Sequence, residues 1–318
     1  MLPSRYNLTN LRRVARDPRR LRTEVEALGS RLNRAVAARR NPPEEAVRIM
    51  DEEWDNCFVL DACRYDLFAD RHEFPGELRK VASAGSQSLE FMRHNFAGET
   101  HHDTVYVTAN PFTTRLDDDI FHRVVDCFAD EWDEDLGTVP PEAVVEATRA
   151  AHERYPEKRL LVHFMQPHYP FIGETGRALD SGGVTGHVAG QAQTDERTAS
   201  VWDRLDAGDP DLSVESVWAA YAENFDLVQE HAADLAEALD GKTVVTADHG
   251  NLVGERLWPV PFREYGHPAE LRVPELVDVP WHELPADERR TVTADPPERT
   301  DEVASDTVQN RLDHLGYA

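Results

Sequence analysis

The chain has 318 residues, 40% of them hydrophobic, which is enough for one large core or two small ones. It carries 60 acidic and 34 basic residues, a net charge of −26, and only three of the basic residues are lysines (Lys80, Lys158 and Lys242). The acidity is spread along the chain, so it is not an acidic interaction tail, and it speaks against a nucleic-acid partner. Heavily acidic and lysine-poor, the composition resembles that of salt-in halophiles, where carboxylates keep the surface hydrated and molar salt screens their repulsion. The three cysteines (Cys57, Cys63 and Cys127) are odd in number and lack metal-ligand spacing, which fits a reducing compartment. "MLPSRYNLTNLRRVARD" has no apolar secretory core, and no run approaches the roughly 18 apolar residues of a membrane span. The expectation is a soluble, cytoplasmic protein.

Residues 1–41 stand apart. They hold eleven arginines and three acidic residues, net +8, which leaves −34 on the rest. Leu21, Val25, Leu28, Leu32 and Val36 recur at steps of three or four and predict a basic amphipathic helix. That helix either docks on the protein's own acidic body or tethers the chain to an anionic membrane or a partner. "NPPEE" at 41–45 closes the segment, and residues 42–318 form the main domain.

From there the pattern alternates. "NCFVLDA" (56–62) reads as a buried strand and "SLEFMRHNF" (88–96) as a helix. "DTVYVTA" (103–109) is a strand and "PPEAVVEATRAAHERY" (140–155) a helix. "RLLVHFM" (159–165) is a strand, 213–240 one long helix or two, and "KTVVTAD" (242–248) a strand. Short apolar strands between helices predict an α/β fold, a three-layer α/β/α sandwich on a mainly parallel sheet. The stretch 173–211, rich in Gly, Asp, Ser and Thr, reads as an insertion, either a lid or a surface loop.

Ligands of such folds bind beyond the carboxyl ends of the strands. Asp61 ends the first strand. Asp248 ends the last and is followed by His249. His168 follows the strand at 159–165, and His267 lies in a downstream loop. Carboxylates with imidazoles suit Zn²⁺ or Mn²⁺ better than Ca²⁺ or Mg²⁺. "SAGSQSLEF" places Ser83, Ser86 and Ser88 before a helix, where unpaired N–H groups favour an incoming anion. A metal-bound serine hydroxyl there is a nucleophile; a helix cap is the plainer alternative.

The order "VLDACRYD … SAGSQSLEF … VHFMQPHYPF … VVTADHGN … YGHP" resembles the alkaline phosphatase superfamily, in particular its sulfatase-like branch with the phosphoethanolamine and phosphoglycerol transferases. The likeness covers residues 54–281, and the ending "VQNRLDHLGYA" is similar to that of sulfatase-like chains. The resemblance implies a divalent metal, Mn or Zn, held by Asp61, Asp248, His249 and Ser88. It implies Ser88 as nucleophile, with Ser86 in reserve. His168 would contact the transferred group, and His267 would contact substrate or a second metal. His163, inside a strand, is equally a packed core histidine. Arg64 and Asp66 fit a structural role in the loop after Asp61. The implied activity is hydrolysis or transfer of a phosphoester of a small molecule, a glycan or a lipid headgroup.

The chain also departs from that family. Ser88 is followed by "LEFM", and neither it nor Cys63 nor Cys127 lies in the Cys/Ser-x-Pro-x-Arg context that formylglycine sulfatases need. Ala62 follows Asp61 where sulfatases carry a second acid. Phe164 occupies the place of an Asp that binuclear phosphodiesterases use. A catalytically degenerate scaffold, a true sulfatase and a phosphomutase are the competing readings; a phosphomutase would need a larger cap than 173–211 offers.

Overall fold

The computed structural model describes residues 18–184 and 200–298. Its centre is a seven-stranded sheet in the order β2-β9-β6-β1-β5-β3-β4. β1 (Asn56–Leu60) is buried along its whole length, between β5 (Arg159–Phe164) and β6 (Thr243–Thr246). β3 (His101–Thr108) and β4 (Phe121–Asp126) extend the sheet beyond β5, all in parallel. β9 (Asp278–Glu283) runs antiparallel beside β6, and β2 (Glu77–Ala82) antiparallel beside β9. A buried parallel strand reads as a near-continuous apolar run, as β1 and β5 do apart from Asn56, Arg159 and His163. β2 is charged and half exposed, and β9 contains Pro280, so neither carries that signal.

Helices cover both faces, and the fold is α/β. Period-2 alternation sorts the strand side chains. Phe58, Leu60, Val105, Val107, Leu160, Val162 and Phe164 face one core, with α2 (Tyr65–Arg71), α5 (Pro141–Arg154) and α8 (Val214–Ala238). Cys57, Val59, Tyr106, Leu161 and Val244 face the other, under α3 (Ser88–Phe96). The short α4 (Cys127–Asp130) sits between β4 and α5. α8 begins with a capping box on Ser213 and Ser216 and buries Val217, Tyr221, Phe225, Val228, Ala232 and Leu235 at helical spacing. The predicted 213–240 segment is therefore one continuous helix.

Three regions differ from the sequence expectation or refine it. Where described, 173–211 holds two helices, α6 (Glu174–Val184) and α7 (Val201–Ala207), the latter burying Val201 and Leu205 in the main core. A small ribbon of β7 (Leu252–Arg256) and β8 (Arg263–Gly266) follows β6 and hands the chain to His267, and a single turn, α9 (Pro274–Val277), leads into β9. α1 (Pro18–Arg40) docks on the 257–272 segment, but not through Leu28 and Leu32 of the predicted stripe; Val36 is half-buried, and the side chains of Leu21 and Val25 lie outside the described residues. Gly29, Asn33 and Ala37 face the body, while Leu28 and Leu32 are exposed. Asn33 exchanges two 2.9 Å hydrogen bonds with the Val260 backbone, and Gly29 lets Phe262 approach where a Cβ would sit 2.3 Å from its ring. Residues 285–298 strap the far end of the sheet, with Arg289 donating to buried Asp55 at 2.8 Å. The ending "VQNRLDHLGYA" lies outside the described residues. Among the described residues no helix is long and apolar enough to cross a membrane.

Candidate metal and nucleophile site

The parallel strands deliver their carboxyl ends to one place. β1 is followed by Asp61, β3 by Asn110, β5 by His168, and β6 by Asp248 and His249. Asp61, Asp248 and His249 offer ligand atoms all within 4.8 Å of one another, and all three are fully buried. The turn after Asp61 is tight: Ala62 has φ of +57°, a left-handed conformation that costs a non-glycine residue roughly 1 kcal/mol. It is held at both ends. The Ala62 N–H donates to Asp248 Oδ1 at 3.0 Å, and Tyr221 donates its hydroxyl to the Ala62 carbonyl. Arg64 then binds Asp66 through Nε and Nη2 and donates to the Asn251 carbonyl at 3.1 Å, joining the loop after β1 to the loop after β6.

In Asp248-His249-Gly250 each residue has a separate task. Asp248 Oδ1 also accepts from the His249 N–H at 2.8 Å. His249 Nδ1 lies 2.7 Å from the Gly250 carbonyl. A carbonyl only accepts, so Nδ1 carries a hydrogen, and Nε2 is the ring nitrogen turned toward the carboxylates. Gly250 is required because a Cβ would lie 2.1 Å from the Glu275 carbonyl oxygen. Its N–H donates to the Leu276 carbonyl at 2.8 Å.

Of the three serines, Ser88 joins the cluster. Its Oγ is 3.3 Å from Asp61 Oδ2 and 3.3 Å from His249 Nε2. It opens α3, and among the described residues the Ser88 and Leu89 N–H groups have no acceptor. Ser86 is buried but engaged elsewhere: its hydroxyl meets Glu90 at 3.1 Å and the Pro268 carbonyl at 2.9 Å. Ser83 donates its hydroxyl to the Asp248 carbonyl and so supports the loop.

His168 and His267 form a pair with Nε2 atoms 2.9 Å apart, and the His267 ring lies 4.7 Å from that of His249. His168 Nδ1 donates to the Tyr169 carbonyl, so its Nε2 accepts from His267. Asn224 of α8 holds the loop by donating to the carbonyls of Pro167 at 3.2 Å and His168 at 3.1 Å. Burial pushes the His267 imidazole well below its usual range, helped by neighbouring His249 and His168. Burial also lowers His168, against the pull of Asp61.

Asn110 escapes the sequence reading, which leaves His163 open as equally a packed core histidine; both join the cluster. Asn110 donates to Asp61 Oδ2 at 2.6 Å. His163 is fully buried, with Nε2 3.6 Å from both Asp61 Oδ2 and Asp248 Oδ2 and Nδ1 2.8 Å from the Tyr106 hydroxyl. It lies in β5 opposite Val59 and Thr108 and shares its face with Leu161. That parity points it toward the cluster, whereas Phe164 points to the opposite core and stacks edge-on with Phe58. Burial alone would lower His163; Tyr106 and the two carboxylates outweigh it and hold the imidazole well above its usual value. For Asp248, burial is likewise outweighed, by His249, His163 and Ser88, and the carboxyl lies below its usual range.

The residues fit a divalent cation. Asp61 Oδ1 and Asp248 Oδ2 are buried without a hydrogen-bond partner, a costly state for carboxylate oxygens. His249 Nε2 lies 3.4 Å from Asp248 Oδ2 and 3.7 Å from Asp61 Oδ1. With the Ser88 distances, these approach the ~3.3–3.4 Å edges of a tetrahedron around a metal with ~2.0–2.1 Å bonds. Two carboxylates, an imidazole and a hydroxyl are a donor set for zinc or manganese.

No family model matches the chain, and no curated protein does. Solved structures are similar to it. Phosphoethanolamine transferases are among them. The integral membrane lipooligosaccharide phosphoethanolamine transferase A of Neisseria meningitidis matches at 12% identity and a TM-score of 0.42, over 72% of this chain and 47% of that one. The zinc complex of the C-terminal periplasmic domain of Escherichia coli EptC matches at 11% identity and 0.39, over 71% and 72%. The corresponding domain of Campylobacter jejuni EptC matches at 11% and 0.39, over 72% and 77%. The chain spans about half the length of the first of these.

Proposed function

We propose that the chain is a metal-dependent enzyme that hydrolyses or transfers a phosphoester through Ser88. The observation that carries this reading is the position of Ser88 Oγ, 3.3 Å from both Asp61 Oδ2 and His249 Nε2 at the start of α3. Asp61, Asp248, His249 and Ser88 would hold the metal, zinc or manganese, which when bound supplies a Lewis acid that lowers the serine hydroxyl's pKa and draws charge from a phosphoryl oxygen.

The chain's own groups do the rest. Ser88 Oγ attacks phosphorus in line; the Oγ–P bond forms as the bond to the leaving oxygen breaks. The N–H groups of Ser88 and Leu89 point to where charge spreads over the phosphoryl oxygens. His168 and His267 already share a hydrogen between their Nε2 atoms. The Ser88 proton passes to solvent, and His168 or His267 gives a proton to the leaving oxygen as general acid. Water, or an acceptor hydroxyl, then cleaves the phosphoserine and frees Ser88. The substrate class is a small-molecule, glycan or lipid-headgroup phosphoester. Asn110 and His163 hold the Asp61 and Asp248 carboxylates in place.

One observation favours a second reading, a degenerate scaffold: His163 approaches both carboxylates and offsets their charge from within. Metal content separates the two. Protein purified in molar KCl is analysed for bound metals and assayed on 4-nitrophenyl phosphate, its diester and the sulfate, with Asp248→Ala alongside. Bound Zn or Mn, lost in the variant together with phosphoester cleavage, supports the enzyme. No metal and no turnover supports the scaffold, and cleavage of the sulfate alone would make it a sulfatase.

A further inference from the structure

Among its described side chains, α1 presents Leu28 and Leu32 outward. Leu28 is 40% exposed and Leu32 49%; with Trp258 at 58% they are the exposed large hydrophobic residues among those described. Trp258 lies in the segment that α1 grips, near the end of the helix, with the Arg40 guanidinium 4.1 Å above its ring. Leu28 and Leu32 are four residues apart and share a face, with exposed Ala35 beside them. Exposed Arg31 and Arg39 lie on the same side of the helix, and among the described residues neither has an ion-pair partner. Scattered surface leucines are ordinary, but these sit on the one basic segment of an otherwise acidic chain: +8 over residues 1–41 against −34 elsewhere.

The docked face explains the arrangement. Asn33, Asn41 and Arg34 grip the body through side-chain-to-backbone hydrogen bonds, to Val260 at 2.9 Å, Arg272 at 2.7 Å and Ala269 at 3.0 Å. Polar and small residues therefore fix the helix, and Leu28 and Leu32 are left over. A helix held this way does not need an apolar stripe for folding. We propose that the outward face of α1, Leu28 and Leu32 flanked by Arg31 and Arg39, with Trp258 at its end, rests on an anionic lipid surface.

The chemistry is complementary in both respects. Leucines enter the acyl boundary, arginines meet lipid phosphates, and a tryptophan with an adjacent guanidinium suits the headgroup layer. At low ionic strength such a surface repels the acidic remainder of the chain, so this face sets the orientation. The loop gripped by α1 also carries His267, so docking and the candidate site share one element. The inference stands independently of the chemistry proposed for Ser88.

The test is flotation of the full chain with vesicles, in the lowest KCl that keeps a native circular dichroism spectrum. Vesicles of phosphatidylglycerol should carry it about tenfold or more better than vesicles of phosphatidylcholine. Leu28→Ser with Leu32→Ser, and separately Arg31→Glu with Arg39→Glu, should each abolish flotation while metal content stays unchanged. Failure to float on phosphatidylglycerol, or flotation that survives both pairs of substitutions, would overturn the proposal. So would a dimer in light scattering that the leucine substitutions convert to monomer, since a second copy would then cover the face.

Discussion

The Tyr106 hydroxyl lies 2.8 Å from His163 Nδ1, across the neighbouring strands β3 and β5, and it turns the far nitrogen of His163 toward Asp61 and Asp248. Tyr106→Phe keeps the ring and removes that hold. The His163 nitrogen then loses a buried partner, at a cost of about 1–3 kcal/mol of stability. Turnover should fall about tenfold, the usual scale for groups that orient a metal site. Denaturant unfolding and kcat of the same preparation check both. Unchanged kcat with lowered stability would leave Tyr106 a packing role only.

Gly250→Ala places a Cβ 2.1 Å from the Glu275 carbonyl, a backbone atom that cannot swing aside. The loop carrying His249 must then shift, at about 1–3 kcal/mol. Urea titration should show a lower midpoint with an unchanged slope. A midpoint equal to that of the parent would mean that the loop relaxes freely.

The thiols should be inert in the native protein. Cys57, Cys63 and Cys127 are all buried, and burial pushes Cys127 up to about 12, aided by nearby Asp126, Glu131 and Asp130. Cys57 and Cys63 are raised further, again by burial. At pH 8 each remains a thiol, and the thiolate is the reactive species. Iodoacetamide followed by mass spectrometry should label none before denaturation and all three after it.

Salt should stabilise the fold. With −26 spread along the chain, self-repulsion is strong in dilute buffer and screened within roughly 3 Å in molar salt. The thermal midpoint should rise steadily as KCl is raised from dilute to molar. A flat profile would remove the halophilic reading of the composition.

Much of this architecture is legible in the residues. Central strands such as "NCFVL" are apolar from Cys57 to Leu60, and Asp61 and Asp248 are conspicuous where such runs stop. Ser88 is legible from its place before "LEFMRHNF". His163 and Asn110 are not, for a physical reason. A strand buried on both faces shows no alternation, so the parity that sends His163 toward Asp61 and Phe164 away from it appears only with the register. Ser86 and Ser88 have the same local chemistry; the Glu90 and Pro268 partners that engage Ser86 come from the fold. The leucine stripe of α1 does mark a helix, but not which face docks. Asn33 and Gly29 decide that, through contacts with residues far along the chain.

The most direct test of the central claim is a Ser88→Ala protein compared with its parent for bound metal and for cleavage of 4-nitrophenyl phosphate and its diester. Ala keeps the helix start and leaves Asp61, Asp248 and His249 in place. The expected result is retained zinc or manganese, slightly weakened, with turnover reduced by roughly three orders of magnitude or more. Undiminished turnover in the presence of metal would contradict Ser88 as the nucleophile.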